Sequence, residues 1–232
     1  MTTHLPRHLR QPDAIAGAAA GRPRTFVPTD ALRLALHAFW ENGYAATSLA
    51  DLTAAMGLGR SSFYACFGSK RAVLLAAVEL YADALFAQIS AIADDAADPV
   101  MALHALVKKI ADIDAGRRGC FFVNCITELA PHDPTLAAFS QRHIARVTAL
   151  MTALLVRAGL PAPLAETRAM ALLATAIGTT SLRKAGMPVT HLQALLDQAQ
   201  RLLLALPPAN DSTPRSFHAK CSNDFYPGVI VR

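Results

Sequence analysis

From Pro28 to Leu206, apolar residues recur at three- and four-residue spacing, in segments divided by glycine, proline or Asp-Pro. That period belongs to helices that bury one face. Leu32, Leu36, Phe39 and Trp40 form the first such face, opened by Pro28 and stopped at Asn42-Gly43. A first-turn proline loses no needed N–H, and glycine accepts the left-handed conformation of a helix end. Ser48-x-x-Asp51 resembles a capping box, with Thr47 as the alternative cap. Leu49, Leu52 and Met56 follow at helical spacing until Gly57. After Leu58-Gly59, a third segment from about Arg60 to Phe67 places Phe63 and Phe67 at i and i+4. Arg60, Ser61, Ser62, Tyr64 and Ala65 are left on outward or flanking positions.

Longer helices come next. Gly68-Ser69-Lys70 starts one that runs to about Ile92, with Val73, Leu74, Val78, Tyr81, Leu85 and Ile89 as its stripe. Asp98-Pro99 starts another, to about Asp114, and Ala115 to Gly119 is a turn. Cys120 to Ala130 is a short apolar helix, and Asp133-Pro134 opens a long one to about Ala158. Pro161 and Pro163 precede a helix to Lys184. Thr190-x-x-Gln193 reads as the capping box of the last, which ends near Leu206 before Pro207-Pro208. The fold class is therefore all-α. The expected organisation is a disordered arm at 1–20, a unit of three short helices at 21–70, a domain of longer helices at 71–206, and a loose tail at 207–232.

Composition agrees: 53% of residues are hydrophobic and 6% aromatic, and alanine, the best helix former, is abundant. Net charge is 22 − 17 = +5, which favours an anionic partner. Before residue 30 stand Arg7, Arg10, Arg22 and Arg24 against Asp13, a basic arm of the kind that tracks nucleic acid. Cys66, Cys120, Cys125 and Cys221 have neither metal-ligand spacing nor the density of a disulfide framework, so a reducing cytoplasm is expected. No continuous apolar run reaches the ~18 residues of a membrane span. His104, His132, His143 and His191 show no ligand spacing, and neither metal nor cofactor is expected. An enzyme is not expected either, because the chain offers no nucleophile–base pair or phosphate loop.

A short helix, a glycine turn and a second short helix give the crossing geometry of a helix-turn-helix. Its second helix enters the major groove. There Arg60 can reach guanine O6 and N7, and Ser61 and Ser62 can meet bases or phosphates. Tyr64 can place its hydroxyl on a phosphate. The free N–H groups at the start of the fourth helix, with Lys70 beside them, make a second phosphate site. Arg22 and Arg24, in GRPR, can lie along a narrow minor groove.

Residues 21–75, GRPR and the run from Ala31 to Leu74 that contains FWENGYAATSLADLTAAMGLGRSSFYACFGSK, resemble the TetR/AcrR family of bacterial transcriptional regulators. The segment GCFFVNCITELAPHDPTLAA from Gly119 resembles the effector domain of one subgroup. The resemblance implies an all-helical homodimer, a variable effector domain and, usually, repression relieved by a small molecule. It places Thr47 and Tyr64 on phosphate with Ser48 in the same interface, Lys70 on phosphate, and Arg60, Ser61, Ser62 and Ala65 toward the groove. Gly59 stands where the family often has a capping serine or threonine, and Ala65 and Cys66 are smaller than is frequent there.

The effector cavity is expected between the fourth and eighth helices, with Tyr81, Leu85, Phe122, Cys125, Phe139, His143 and Met170 as wall candidates. Cys120, at a helix start after Arg117 and Arg118, is a candidate redox or electrophile sensor. The wide apolar faces and small residues of the last two long helices suggest the homodimer contact. The expected function is a ligand-responsive DNA-binding regulator, a repressor released from a double-stranded operator by a small molecule. The alternative is a dimeric small-molecule-binding or thiol-sensing helical protein without specific operator recognition.

Overall fold

A computed structural model of the chain describes residues 28–113 and 116–205. The expected arm, Arg22, Arg24, Cys221 and the tail from 207 lie outside the described residues. Nine α-helices are present among the described residues, with no strand. The first three, α1 (Pro28–Asn42), α2 (Leu49–Ala55) and α3 (Arg60–Phe67), are short. They lean on a long helix, α4 (Lys70–Asp95). Then come α5 (Pro99–Ala111), the short α6 (Phe121–Glu128), and three long helices: α7 (Pro134–Arg157), α8 (Ala162–Lys184) and α9 (Val189–Leu204). Single 3-10 turns at Gly116–Arg118 and Ala130–His132 flank α6.

Side-chain caps set several starts. Ser69 Oγ accepts from Ala72 N–H at 3.1 Å, and Asp98 Oδ1 from Val100 N–H at 2.8 Å. Asp133 Oδ1 accepts from Thr135 and Leu136, each at 3.0 Å. Two expectations at helix ends change. Helix α9 begins at Val189 with Pro188 as its cap and no side-chain cap bond, so the Thr190-x-x-Gln193 box does not form. Proline already sets the extended backbone a cap needs, and the helix starts two residues too early for Thr190 to serve. Helix α4 runs to Asp95 rather than Ile92.

Two buried clusters organise the molecule. Leu32, Leu36, Phe39, Leu52, Met56, Phe63 and Phe67 pack around Val73, Leu74 and Val78 of α4, continuing into Phe121 and Phe122. Further along α4, Ile89 and Ala93 join Leu103, Leu106, Met151, Leu154, Leu172 and Leu196. Helix α4 is long and apolar enough to cross a membrane, which the search for continuous apolar runs did not anticipate. Here its apolar residues are the seam shared by both clusters.

The clusters are also tied by polar links. Arg71 donates to both oxygens of Asp133 at 2.7 Å and to Thr135 Oγ1 at 3.0 Å, joining the start of α4 to the start of α7. The Arg71 guanidinium holds the Asp133 carboxyl below its ordinary range. Further along, His143 of α7 is buried with its ring centroid 4.8 Å from Phe122 and 6.2 Å from Phe139, the latter stacked. Arg146 Nη2 donates to His143 Nδ1 at 3.2 Å and to Asp83 Oδ1 at 2.7 Å. Burial first, and the Arg146 charge second, push the His143 imidazole down to about 4, against a raising influence from Asp83.

Two outcomes follow. His143 is neutral in the fold well below the pH at which it protonates in the unfolded chain. Its contribution is therefore complete above about pH 6.5 and is lost as pH falls toward 4. His143→Gln should flatten this part of the urea-unfolding pH profile by on the order of 1–2 kcal/mol, after allowance for screening by nearby water. A profile that falls equally steeply in both proteins would show that other groups carry the loss. Asp133→Ala removes a helix cap, and should lower stability at pH 7 by about 1–2 kcal/mol. Because Arg71 is half exposed and its ion pair screened, Arg71→Ala should cost less in the same denaturation experiment.

Candidate nucleic-acid interface and regulatory cavity

The α2–α3 unit is built by its caps and turns. Ser48 Oγ accepts from Asp51 N–H at 3.1 Å, and the Asp51 carboxylate accepts from Ser48 N–H at 3.0 Å, completing the capping box. Gly57 takes a φ of +67°, where a β-carbon would be strained, and the chain reverses. Leu58 N–H then donates to Thr53 O at 2.9 Å. Gly59 caps α3 with no side-chain bond, as its lack of a side chain requires.

Helix α3 is anchored from one side only. Phe63 and Phe67 are buried, with ring centroids 6.0 Å apart. Arg60, Ser61, Ser62, Ala65 and Cys66 are exposed, and Tyr64 is 51% exposed with its ring edge-on to Phe63 at 5.6 Å. The expected reading face is therefore assembled on one surface, with Ser48 also exposed near the start of α2. Lys70 stands at the first position of α4, its Nζ 4.4 Å above the ring of Tyr44, which itself packs at 5.7 Å on Phe39. Tyr44 was missed in the sequence. It follows a glycine stop, where no periodicity assigns it a face, yet it holds the Lys70 ammonium in place.

Thr47 departs from its expected role. It is 1% exposed, and its hydroxyl donates to the Gly43 carbonyl at 2.7 Å. The side chain locks the turn after α1 and is not on the exposed face. Ser48, not Thr47, is the cap of α2.

The wall candidates divide. Tyr81 and Leu85 line a cavity of about 240 Å3 between α1, α4, α5 and α8. Leu85, Phe122 and His143 line a wholly apolar space of about 30 Å3 beside it. Leu85, Ile110 and Cys120 border both spaces. Three candidates are placed elsewhere. Cys125 lines a groove between α1 and α6. Phe139 packs on His143 and borders a groove beside Tyr64 and Arg71. Met170 is 59% exposed on the outer side of α8. Met170 borders a separate groove between α7 and α8, with Ile144, Thr148 and Glu166, and reaches neither of these spaces. Conversely, the larger cavity contains Trp40, Lys109, Asp112 and Arg183, none of which the sequence marked. They lie on three separate helices or their ends and carry no shared spacing.

Cys120 caps α6 and is buried, its Sγ 3.4 Å from the Tyr81 hydroxyl. Burial first, and Cys120 second, raise the Tyr81 phenol, which stays protonated. The two arginines expected to act on Cys120 have other contacts. Arg118 sits 4.8 Å over the Trp40 ring and 3.6 Å from Glu41, while Arg117 packs against Gly186. Burial pushes the Cys125 thiol up to about 12. Among the described residues, no group of His, Cys, Asp and Glu is placed to hold a metal ion.

Comparisons with known proteins agree with this geometry. The chain is 31% identical over 126 residues to the uncharacterized HTH-type transcriptional regulator YezE of Bacillus subtilis, covering 53% of this chain and 64% of that protein. It is 34% identical over 133 residues to the HTH-type transcriptional repressor ComR of Escherichia coli, covering 53% and 61%. The chain thus spans less than two thirds of the length of these curated relatives. Among solved structures, the TetR family regulator CifR, a cysteine mutant complexed with 26-bp double-strand operator DNA, superposes with a TM-score of 0.67 at 26% identity, covering 80% of this chain and 100% of that one. SCO4454 of Streptomyces coelicolor shares the fold, with a TM-score of 0.68 at 21% identity over 76% and 93% of the two chains. Residues 31–77, from α1 into α4, match the family described as bacterial regulatory proteins, tetR family.

Proposed function

We propose that the protein is a transcriptional regulator, and not an enzyme, that binds double-stranded operator DNA through α3 and releases it when a small molecule occupies the cavity beside α4. The observation that carries this reading is the face of α3. Arg60, Ser61, Ser62, Tyr64 and Ala65 are turned to solvent together, while Phe63 and Phe67 hold the helix from behind. In this reading Arg60 reads a guanine, Ser61 and Ser62 meet bases or phosphates, and Tyr64 and Lys70 bind phosphate. Ser48, exposed at the start of α2, borders the same backbone, and Arg22 and Arg24 follow the minor groove. CifR, complexed with operator DNA, supports the same use of the fold.

Two recognition helices are needed to span successive major grooves, and a two-fold dimer supplies them. Helices α8 and α9 expose Met170, Leu195 and Leu202 while burying Leu172, Leu192 and Leu196. An unburied apolar face beside a complete core supports pairing of α8 and α9 across a two-fold axis as the homodimer contact.

Footprinting on the DNA next to its own gene should reveal a protected site whose affinity falls steeply with salt. Arg60→Ala should weaken that site by about 10- to 100-fold and relax one base position. Lys70→Ala should weaken binding to all sequences alike and reduce the salt slope by about one. Full affinity in both variants, with helicity intact by circular dichroism, would rule out this face as the DNA contact.

A further inference from the structure

The cavity holds a buried cation with unused donors. Arg183, in the last turn of α8, is 4% exposed, and neither its Nε nor its Nη1 has a hydrogen-bond partner. Asp112 Oδ2 is 3.9 Å from Nη1, beyond hydrogen-bonding reach, and its side chain is 55% exposed. Trp40 Nε1–H also lacks an acceptor and lines the same cavity. Buried N–H donors left without a hydrogen bond are costly, so native structures rarely keep two on one guanidinium idle. The wall's own carboxylate, Asp112, stands too far from Nη1 to hydrogen-bond it.

We propose that the cavity binds a small carboxylate with a compact apolar body, its carboxylate on Arg183. This rests on reading the cavity as the regulatory site. The charges around it are Arg183 and Lys109 against Asp112, a net +1. The planar guanidinium fork matches a carboxylate through two parallel N–H bonds. Tyr81, kept as a neutral phenol by burial, adds a hydroxyl on the α4 side. A volume of about 240 Å3 equals the share of roughly eight waters at ~30 Å3 each, enough for a small ring and its carboxylate. The adjoining apolar space, bordered by Leu85, Phe122 and Val123, receives the end of the ligand away from the charge.

The geometry also states how occupancy would be felt. Trp40 belongs to α1, Tyr81 and Leu85 to α4, and Arg183 to α8. A carboxylate drawing on donors from both α1 and α8 shifts the population toward whichever arrangement brings them together.

Isothermal calorimetry on the DNA-free full chain tests this, with benzoate and hexanoate as probes, benzamide as the uncharged match and inorganic phosphate as the charge alone. At least one of the two carboxylates should bind saturably and raise Tm, while benzamide and phosphate do not. Arg183→Met should abolish the response and leave ligand-free Tm unchanged or higher, because a buried charge whose ion pair is a 3.9 Å contact to a half-exposed carboxylate is replaced by a hydrophobic group at little cost. Arg183→Lys and Lys109→Ala keep the test open if that variant does not fold, and the first should weaken binding about tenfold. Binding of neither carboxylate, equal binding of benzamide or phosphate, or unchanged affinity in the Arg183 variants overturns the proposal. The operator footprint is scored separately. A footprint without carboxylate binding sinks this inference alone, and carboxylate binding without a footprint sinks the regulator reading alone.

Discussion

Helix α4 must satisfy two cores with one continuous surface. Its first turns are buried among α1, α3 and α6, where Val73, Ala77 and Val78 reach zero exposure, and its later turns insert Ile89 and Ala93 between α5 and α7. A rigid rod buried at both ends cannot shift at one without repacking at the other, because protein interiors are close-packed and respond by switching between discrete arrangements. The Arg71–Asp133 pair adds a second tether at the same end, from the start of α4 to the cap of α7. The placement of α3 is therefore not a property of its own three-helix unit. It is set by what α4 packs against some 20 residues further along.

Much of this was legible in the chain, and the legible parts share a cause. Ser48-x-x-Asp51, Ser69, Asp98-Pro99 and Asp133-Pro134 announce helix starts because their bonds are local, made to backbone within three residues. Phe63 and Phe67 announce the inner face of α3 for the same reason, since i and i+4 are neighbours on any helix. What failed was non-local or locally ambiguous. Thr47 carries a hydroxyl that serves equally well on phosphate or on the carbonyl four residues back, and only burial decides between them. Met170 shares a helix with Leu172 and Leu173, and periodicity alone did not separate core from outer face there. Thr190 had the composition of a cap, one residue inside a helix that Pro188 had already opened.

The cavity was the least legible feature. Tyr81 and Leu85 could be named because they lie on the α4 stripe, but the residues that give the site its electrical character are far apart in sequence. Arg183 ends one helix, Lys109 and Asp112 end another, and Trp40 belongs to the first. Trp40 read as an ordinary core aromatic, and in the structure it is half-buried between Tyr81 on one side and Arg118 on the other. Chemistry assembled from helix ends leaves no spacing to find.

The one-sided anchoring of α3 has a consequence for how such a protein diversifies. An eight-residue helix is too short to persist alone in water, and here two phenylalanines and a glycine turn carry its fold. Arg60, Ser61, Ser62, Ala65 and Cys66 bear almost none of that burden. Those five positions can therefore change at nearly constant stability, and on the proposed function the DNA preferred by Arg60, Ser61, Ser62 and Ala65 would change with them. Truncating Phe63 or Phe67 would instead open the core, so the exposed face is free to vary on a scaffold that is not.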